Sequence, residues 1–305
     1  MKALQTGRAP AAADPLRGVL LMFGSTFLIA AMHAAIRQVS ADLHPFEIAF
    51  FRNLFGLIIV LPWFLRYGLA PLRTQRIGLH GLRAGFNILA MLSFFYALAI
   101  APLAQVTALN FTAPIFATLL AIPVLGEIVG RRRWTAVLIG FGGTLVILRP
   151  GLAEVGLGQM LVLVSSLAWA CALLVIKTLS RTESSITIIS YMAILMMPLS
   201  LVPALFVWEW PNLVQLAWLA LIGLLGNGGQ LLMTESIKQA DMSVVMPIDF
   251  FKLIWVAALA YVAFGEIPDV YTWIGGAVIF ASAVYIAYRE QQLGRRSQLA
   301  PATGA

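Results

Sequence analysis

Charge is what this chain has least of. Asp, Glu, Lys and Arg make up 11% of its 305 residues, where a soluble domain carries about a quarter. Hydrophobic residues fill the gap at 61%, and the mean hydropathy is +0.91. Cysteine is nearly absent as well. Cys171 stands alone inside an apolar block, which excludes an intramolecular disulfide and a cysteine-based metal site. Histidine occurs only at His33, His44 and His80, too scattered for a metal site. The chain contains no HExxH, GxSxG or GxxxxGK[ST], so an intramembrane hydrolase and an ATP-driven pump are left without a motif. No metal and no cofactor are expected.

The apolar excess comes in blocks of about twenty residues, the length that crosses a bilayer as a helix. Ten such blocks run at roughly 17–38, 46–66, 80–99, 103–125, 133–148, 158–179, 184–206, 213–236, 242–265 and 270–288. The expectation is therefore an all-α membrane protein with ten transmembrane helices, multi-pass in the inner (plasma) membrane. Pro102 separates the third block from the fourth, because proline removes a backbone donor and clashes with the preceding turn. With both termini inside, the cytoplasmic ends hold sixteen of the 20 basic residues, Arg131, Arg132 and Arg133 among them. Outside lie only Arg37 and Arg149, and Arg52 and Lys252 fall within spans. That bias obeys the positive-inside rule and would be lost with nine or eleven spans. It also accounts for the net charge of +7 without nucleic acid as a partner. Residues 1–16 and 289–305 read as disordered cytoplasmic tails, being short and rich in Ala, Pro or Gln.

The chain repeats itself. GVLLMFGSTFLIAAMHAAIRQVS (18–40) aligns with GQMLVLVSSLAWACALLVIKTLS (158–180), pairing Gly18 with Gly158, Ser25 with Ser165 and Arg37 with Lys177 at an offset of 140. LLAIPVLGEIVGRRRW (119–134) aligns with ALAYVAFGEIPDVYTW (258–273) at 139, superposing the two Gly-Glu-Ile triplets. Two units of five spans, 17–150 and 158–288, follow. An odd number of spans makes the second unit enter from the opposite side, the inverted-repeat construction of secondary transporters with a site near the midplane.

The paired segments YALAIAPLAQVTALNFTAPIFATLLAIPVLGE (96–127) and ESIKQADMSVVMPIDFFKLIWVAALAYVAFGE (235–266), with the 5+5 plan, resemble the EamA-type family of the drug/metabolite transporter superfamily. The resemblance covers about residues 17–288 and is nearest to aromatic amino-acid exporters. It implies alternating access between the repeats and export of amino acids or related small metabolites. Multidrug or nucleotide-sugar cargo on the same fold is the alternative. PIDFFK departs from the more apolar proline segment of many relatives, so the resemblance speaks more to fold than to substrate.

Candidate site residues are the polar and aromatic groups inside the spans. A charge at a helix centre costs about 2.5–3.5 kcal/mol on insertion scales, so each needs a partner or a wet cavity. Asp249 and Lys252, three apart in the ninth block, share a helical face that Trp255 continues. They either neutralise each other or take the ammonium and carboxylate of a zwitterion, with Trp255 as apolar wall. Trp169 is too deep for an interfacial belt and stands between cavity wall and packing. Asn87, Asn227 and Gln230 either bind substrate or join helices across glycine-permitted contacts. Asn110 is the repeat mate of Asp249. Pro114 and Pro247 interrupt hydrogen-bond ladders and are candidate hinges. His33 and Arg52 read as structural, and Glu127 and Glu266 as helix-end residues. The small pairs Ala136/Gly140 and Ala277/Ala281 suit packing within one monomer better than a dimer face. The expected partners are a small-molecule substrate and the lipid bilayer.

Overall fold

A run of leucine, alanine and other strong helix formers, punctuated by proline at helix starts, dictates helices throughout. The computed structural model describes residues 15–67, 74–125, 131–149, 155–180, 182–183, 185–239 and 246–299. Among these the helices are α1 (Pro15–Val39), α2 (Pro45–Tyr67), α3 (Ile77–Ile100), α4 (Leu103–Asn110), α5 (Ala113–Leu125), α6 (Arg131–Leu148), α7 (Leu157–Leu179), α8 (Ser185–Leu205), α9 (Leu213–Gln239), α10 (Phe251–Phe264) and α11 (Val270–Leu299). A 3-10 turn, Met246–Phe250, leads into α10. Counting α4 with α5 and the 3-10 turn with α10 leaves ten spans in two sets of five. Five stretches are individually long and apolar enough to cross a membrane. The described residues contain no strand. Residues 1–14 and 300–305 and the corner around Glu127 lie outside the described residues. Helix α11 continues through 289–299, where the composition suggests a disordered tail; the Glu, Gln, Leu and Arg of that stretch are good helix formers.

The two repeats interlock rather than sit side by side. The most extensive pairings are α1 with α9, α3 with α7, and α6 with α11. The first two exchange places when the repeats are swapped, and the third maps onto itself. Individual hydrogen bonds obey the same operation. Ser25 Oγ donates to the Gly229 carbonyl at 2.8 Å and Ser165 Oγ to the Ala90 carbonyl at 2.7 Å. Donors and acceptors are repeat mates at the offsets read from the sequence. Lipid supplies no hydrophobic drive between helices, so close backbone approach at small residues holds them together. At the α6–α11 crossing, a side chain on Gly275 would place its Cβ 2.6 Å from the Gly143 carbonyl oxygen, and Ser282 Oγ donates to the Ala136 carbonyl. Ala136 and Gly140 are buried in this contact, whereas Ala277 and Ala281 are exposed on the opposite face of α11.

The fourth span of each repeat is broken at equivalent points. Pro114 has no N–H to give the Asn110 carbonyl. The chain tightens there, with Phe111 N donating to Ala108 O at 3.3 Å and Thr112 N to Leu109 O at 3.0 Å. In the second repeat the 3-10 turn containing Pro247 and Asp249 ends at Phe250, and regular helix begins at Phe251. Asn110 and Asp249, mates at 139, therefore both stand at a break.

Candidate functional site

The breaks face each other. Phe111 and Phe250, also mates at 139, approach to 6.2 Å between ring centroids, and Phe280 of α11 completes the cluster at 5.4 Å from Phe111 and 4.7 Å from Phe250. The wall so formed is apolar and contributed by both repeats. Against it sits the charge pair. Lys252 Nζ lies 3.1 Å from Asp249 Oδ2, with side chains 11% and 22% exposed. The ammonium also stands 5.0 Å from the Phe111 ring centroid, a cation–π contact worth roughly 0.5–2 kcal/mol depending on desolvation. Lys252 is about 18 Å from the end of α10 at Phe264, counting about 1.5 Å per residue. That is mid-depth in a hydrocarbon layer of about 30 Å.

Trp255 continues the face toward α1, with edge contacts to Phe23 (5.3 Å) and Phe27 (5.4 Å). Its indole N–H is buried and has no hydrogen-bond partner among the described residues. Asn110 is half-buried beside Phe111 and has no hydrogen-bond partner among the described residues. These four side chains, Asp249, Lys252, Trp255 and Asn110, are brought to the break region. The others are not. Asn227 Nδ2 donates to the Gly223 carbonyl of its own helix at 2.8 Å and packs against Gly56 of α2. Asn87 packs with Met192 of α8. Gln230 is exposed on α9, and Trp169 is 36% exposed on α7, with no ring contact to the aromatic cluster among the described residues.

Sequence reasoning missed Phe111, Phe250 and Phe280. Their signal was available for the first two, which coincide under the repeat offset. His33 is buried with its ring edge on Phe94 at 5.1 Å, Nδ1 has no partner, and the charges that act on it are Lys252 and Arg52.

At the end of the bundle that holds Arg37, two ion pairs join the repeats. Arg37 Nη2 meets Glu266 Oε1 at 3.2 Å, and Arg149 pairs with Asp269. Arg37 Nη1 also donates to the carbonyls of Leu98 (3.1 Å) and Ala99 (2.6 Å), while Glu266 Oε2 accepts the Leu103 N–H at 3.0 Å. One carboxylate thus caps α4 and holds the α3–α4 link to the second repeat. Beside it is a cavity of about 280 Å³ lined by Gln105, Gln159, Arg149, Glu266, Asp269 and Thr272. Its charged residues are held in the ion pairs just described. Burial opposes ionisation of Asp269, but the Thr272 hydroxyl and amide and the Arg149 guanidinium outweigh it and hold the carboxyl below its ordinary 3.8. A carboxyl depressed in the folded state adds stability above its ordinary range and loses it as pH falls through the folded value. Amide protection at 266–273 is therefore expected to drop on acidification below pH 4, and Asp269→Asn to remove that pH dependence; hydrogen exchange reads both.

Replacing Glu266 by alanine removes an ion pair and a helix cap together. Hydrogen exchange at the 100–106 amides is expected to rise about tenfold or more, the effect of roughly 1–2 kcal/mol for a lost cap.

A crystal structure superposes with a TM-score of 0.59 over 90% of this chain and 98% of its own at 17% identity, sharing the fold. The S-adenosylmethionine uptake transporter of Rickettsia bellii is 31% identical over 256 residues, 84% of this chain and 88% of that one. The riboflavin transporter of Vibrio cholerae is 32% identical over 290 residues, 93% and 97% of the two chains. The pseudopaline exporter of Pseudomonas aeruginosa is 26% identical over 278 residues, 88% and 95%. The EamA-like transporter family matches twice, at residues 16–149 and 156–288. The chain belongs to the EamA-like transporter family of the drug/metabolite transporter superfamily, and is a multi-pass inner-membrane transporter rather than an enzyme.

Proposed function

We propose that the chain is a secondary transporter for amino acids with aromatic or other apolar side chains, and for metabolites built on an amino acid. It works by alternating access around Asp249 and Lys252, with both termini cytoplasmic as the charge bias requires. The observation that carries this reading is a charge pair at mid-depth, at a helix break, against an aromatic wall supplied by both repeats. Asp249 takes the substrate ammonium and Lys252 its carboxylate, the two exchanging their mutual bond for bonds to the zwitterion. Phe111, Phe250, Phe280 and Trp255 cover the apolar body. Asn110, with the carbonyl that Pro114 leaves free, offers further acceptors at the break, and the breaks at Pro114 and Pro247 bend as the repeats rock. Export follows where the cytoplasmic concentration is higher, as the resemblance implies.

A second cargo is favoured by the relatives named for S-adenosylmethionine uptake. That molecule joins an α-amino-acid end to a flat heteroaromatic ring and suits the same groups. Riboflavin has no amino-acid end and would leave the charge pair idle. Equilibrium binding of labelled phenylalanine to the purified protein separates these readings. Asp249→Asn is expected to weaken phenylalanine about tenfold or more, the loss of one hydrogen bond to a charged group. Unchanged binding in that variant would overturn the role of Asp249.

A further inference from the structure

We propose that Arg52, with His33, forms a second anion-binding station on the transport path, one that takes the carboxylate of the substrate nearer the Arg37 end than Lys252 does. The inference rests on the reading of this chain as a carrier of amino-acid-type molecules.

Arg52 is half-buried within α2, and its guanidinium is the least satisfied of those inside the spans among the described residues. It forms no ion pair there. Its Nη1 contacts are the Asn53 side-chain oxygen at 3.4 Å and the Met91 sulfur at 3.5 Å, and Nε is buried with no partner. The first distance is beyond the usual 2.7–3.2 Å for N–H to oxygen, and a thioether is a weak acceptor. Arg83 is better provided for: its Nη1 donates to the Ile188 carbonyl at 2.7 Å. Lys252 already has Asp249. An unmatched guanidinium inside a membrane protein calls for an anion, and intramembrane charges of this kind mark substrate pathways.

The surroundings supply a second polar atom. Gly226 of α9 faces the guanidinium, and a Cβ there would lie 3.3 Å from Arg52 Nε. His33 Nδ1 is another buried polar atom without a hydrogen-bond partner among the described residues. Arg52 lies about 10 Å from the start of α2 at Pro45, counting about 1.5 Å per residue. This is shallower than Lys252. A carboxylate moving along the path would pass from one cation to the other, and the planar five-donor fork of arginine suits it.

The test uses two probes on the purified full-length protein. Phenylacetate keeps the carboxylate and lacks the ammonium; phenylalaninamide keeps the ammonium and lacks the carboxylate. Binding is read by tryptophan fluorescence and by thermal unfolding. In Arg52→Gln the dissociation constant of phenylacetate is expected to rise about tenfold or more, as for a lost hydrogen bond to a charged group. That of phenylalaninamide stays where it is. Arg52→Lys recovers part of the loss. Should Arg52→Gln not fold, Arg52→Lys alone serves in its place: it keeps the charge but not the planar fork, and phenylacetate weakens selectively, by less than in Arg52→Gln. Phenylacetate that binds Arg52→Gln as well as wild type, or does not bind wild type at all, would overturn the station. If the Arg52-dependent binding holds while no amino acid is transported, the station stands and the amino-acid reading falls.

Discussion

Lys252→Ala is expected to cut transport of a zwitterionic amino acid by about thirtyfold or more. Truncating one partner of a buried, hydrogen-bonded charge pair costs about 2–5 kcal/mol, and each 1.4 kcal/mol is about a factor of ten. Part of that cost is the carboxylate of Asp249 left without its ammonium at mid-depth, which alone says nothing about substrate. The double variant Asp249→Asn, Lys252→Met removes the complication. It leaves no unpaired charge, and neutral replacement of a buried ion pair is often harmless to stability. If the pair served only to lower the cost of insertion, the double variant would fold and transport normally. If the pair recognises the zwitterion, the double variant folds normally and transports as poorly as Lys252→Ala. Uptake into proteoliposomes, normalised to folded protein, distinguishes the two.

The largest effect on folding is expected at Gly275. A Cβ there would stand 2.5 Å from the Ile147 side chain and 2.6 Å from the Gly143 carbonyl oxygen. The second neighbour is backbone and cannot turn aside. Gly275→Leu must therefore push α6 and α11 apart along the contact that maps onto itself under repeat exchange. Overpacking a close-packed site costs roughly 1–3 kcal/mol and sometimes more; separating these helices is expected to exceed that range and to abolish folded protein. Gly142, one turn position away from the seam, has nothing within 4 Å of its Cβ. Gly142→Leu is expected to fold as wild type. Monodispersity in detergent and the thermal midpoint report both outcomes, and a well-folded Gly275→Leu protein would contradict the packing described.

Much of this architecture is legible in the sequence because lipid imposes a length. The apolar blocks of about twenty residues give the ten spans, and offsets of 139–140 give the repeat. Ser25 and Ser165 show how far that legibility extends, since their equivalence in sequence reappears as equivalent hydrogen bonds in space. Distant partners are a different matter. Arg37 reads as a solitary basic residue at the outer end of α1, and only folding brings it to Glu266, 229 residues on. Asn227 gives its amide N–H to the Gly223 carbonyl of its own helix while packing on Gly56 of α2. The aromatic wall escaped notice because phenylalanine is as ordinary on a lipid face as in a site, so composition cannot separate Phe250 from its neighbour Phe251, which is exposed. The small-residue motifs divide in the same way: Ala136/Gly140 packs and Ala277/Ala281 does not.

Entrance counterflow tests the proposal of alternating access most directly. Purified wild-type protein is reconstituted in sealed liposomes preloaded with unlabelled phenylalanine, and labelled phenylalanine is supplied outside. Transient accumulation of label above the external concentration is expected, with competition by tryptophan and S-adenosylmethionine. Folded, correctly inserted protein that produces no accumulation of any amino acid would contradict it.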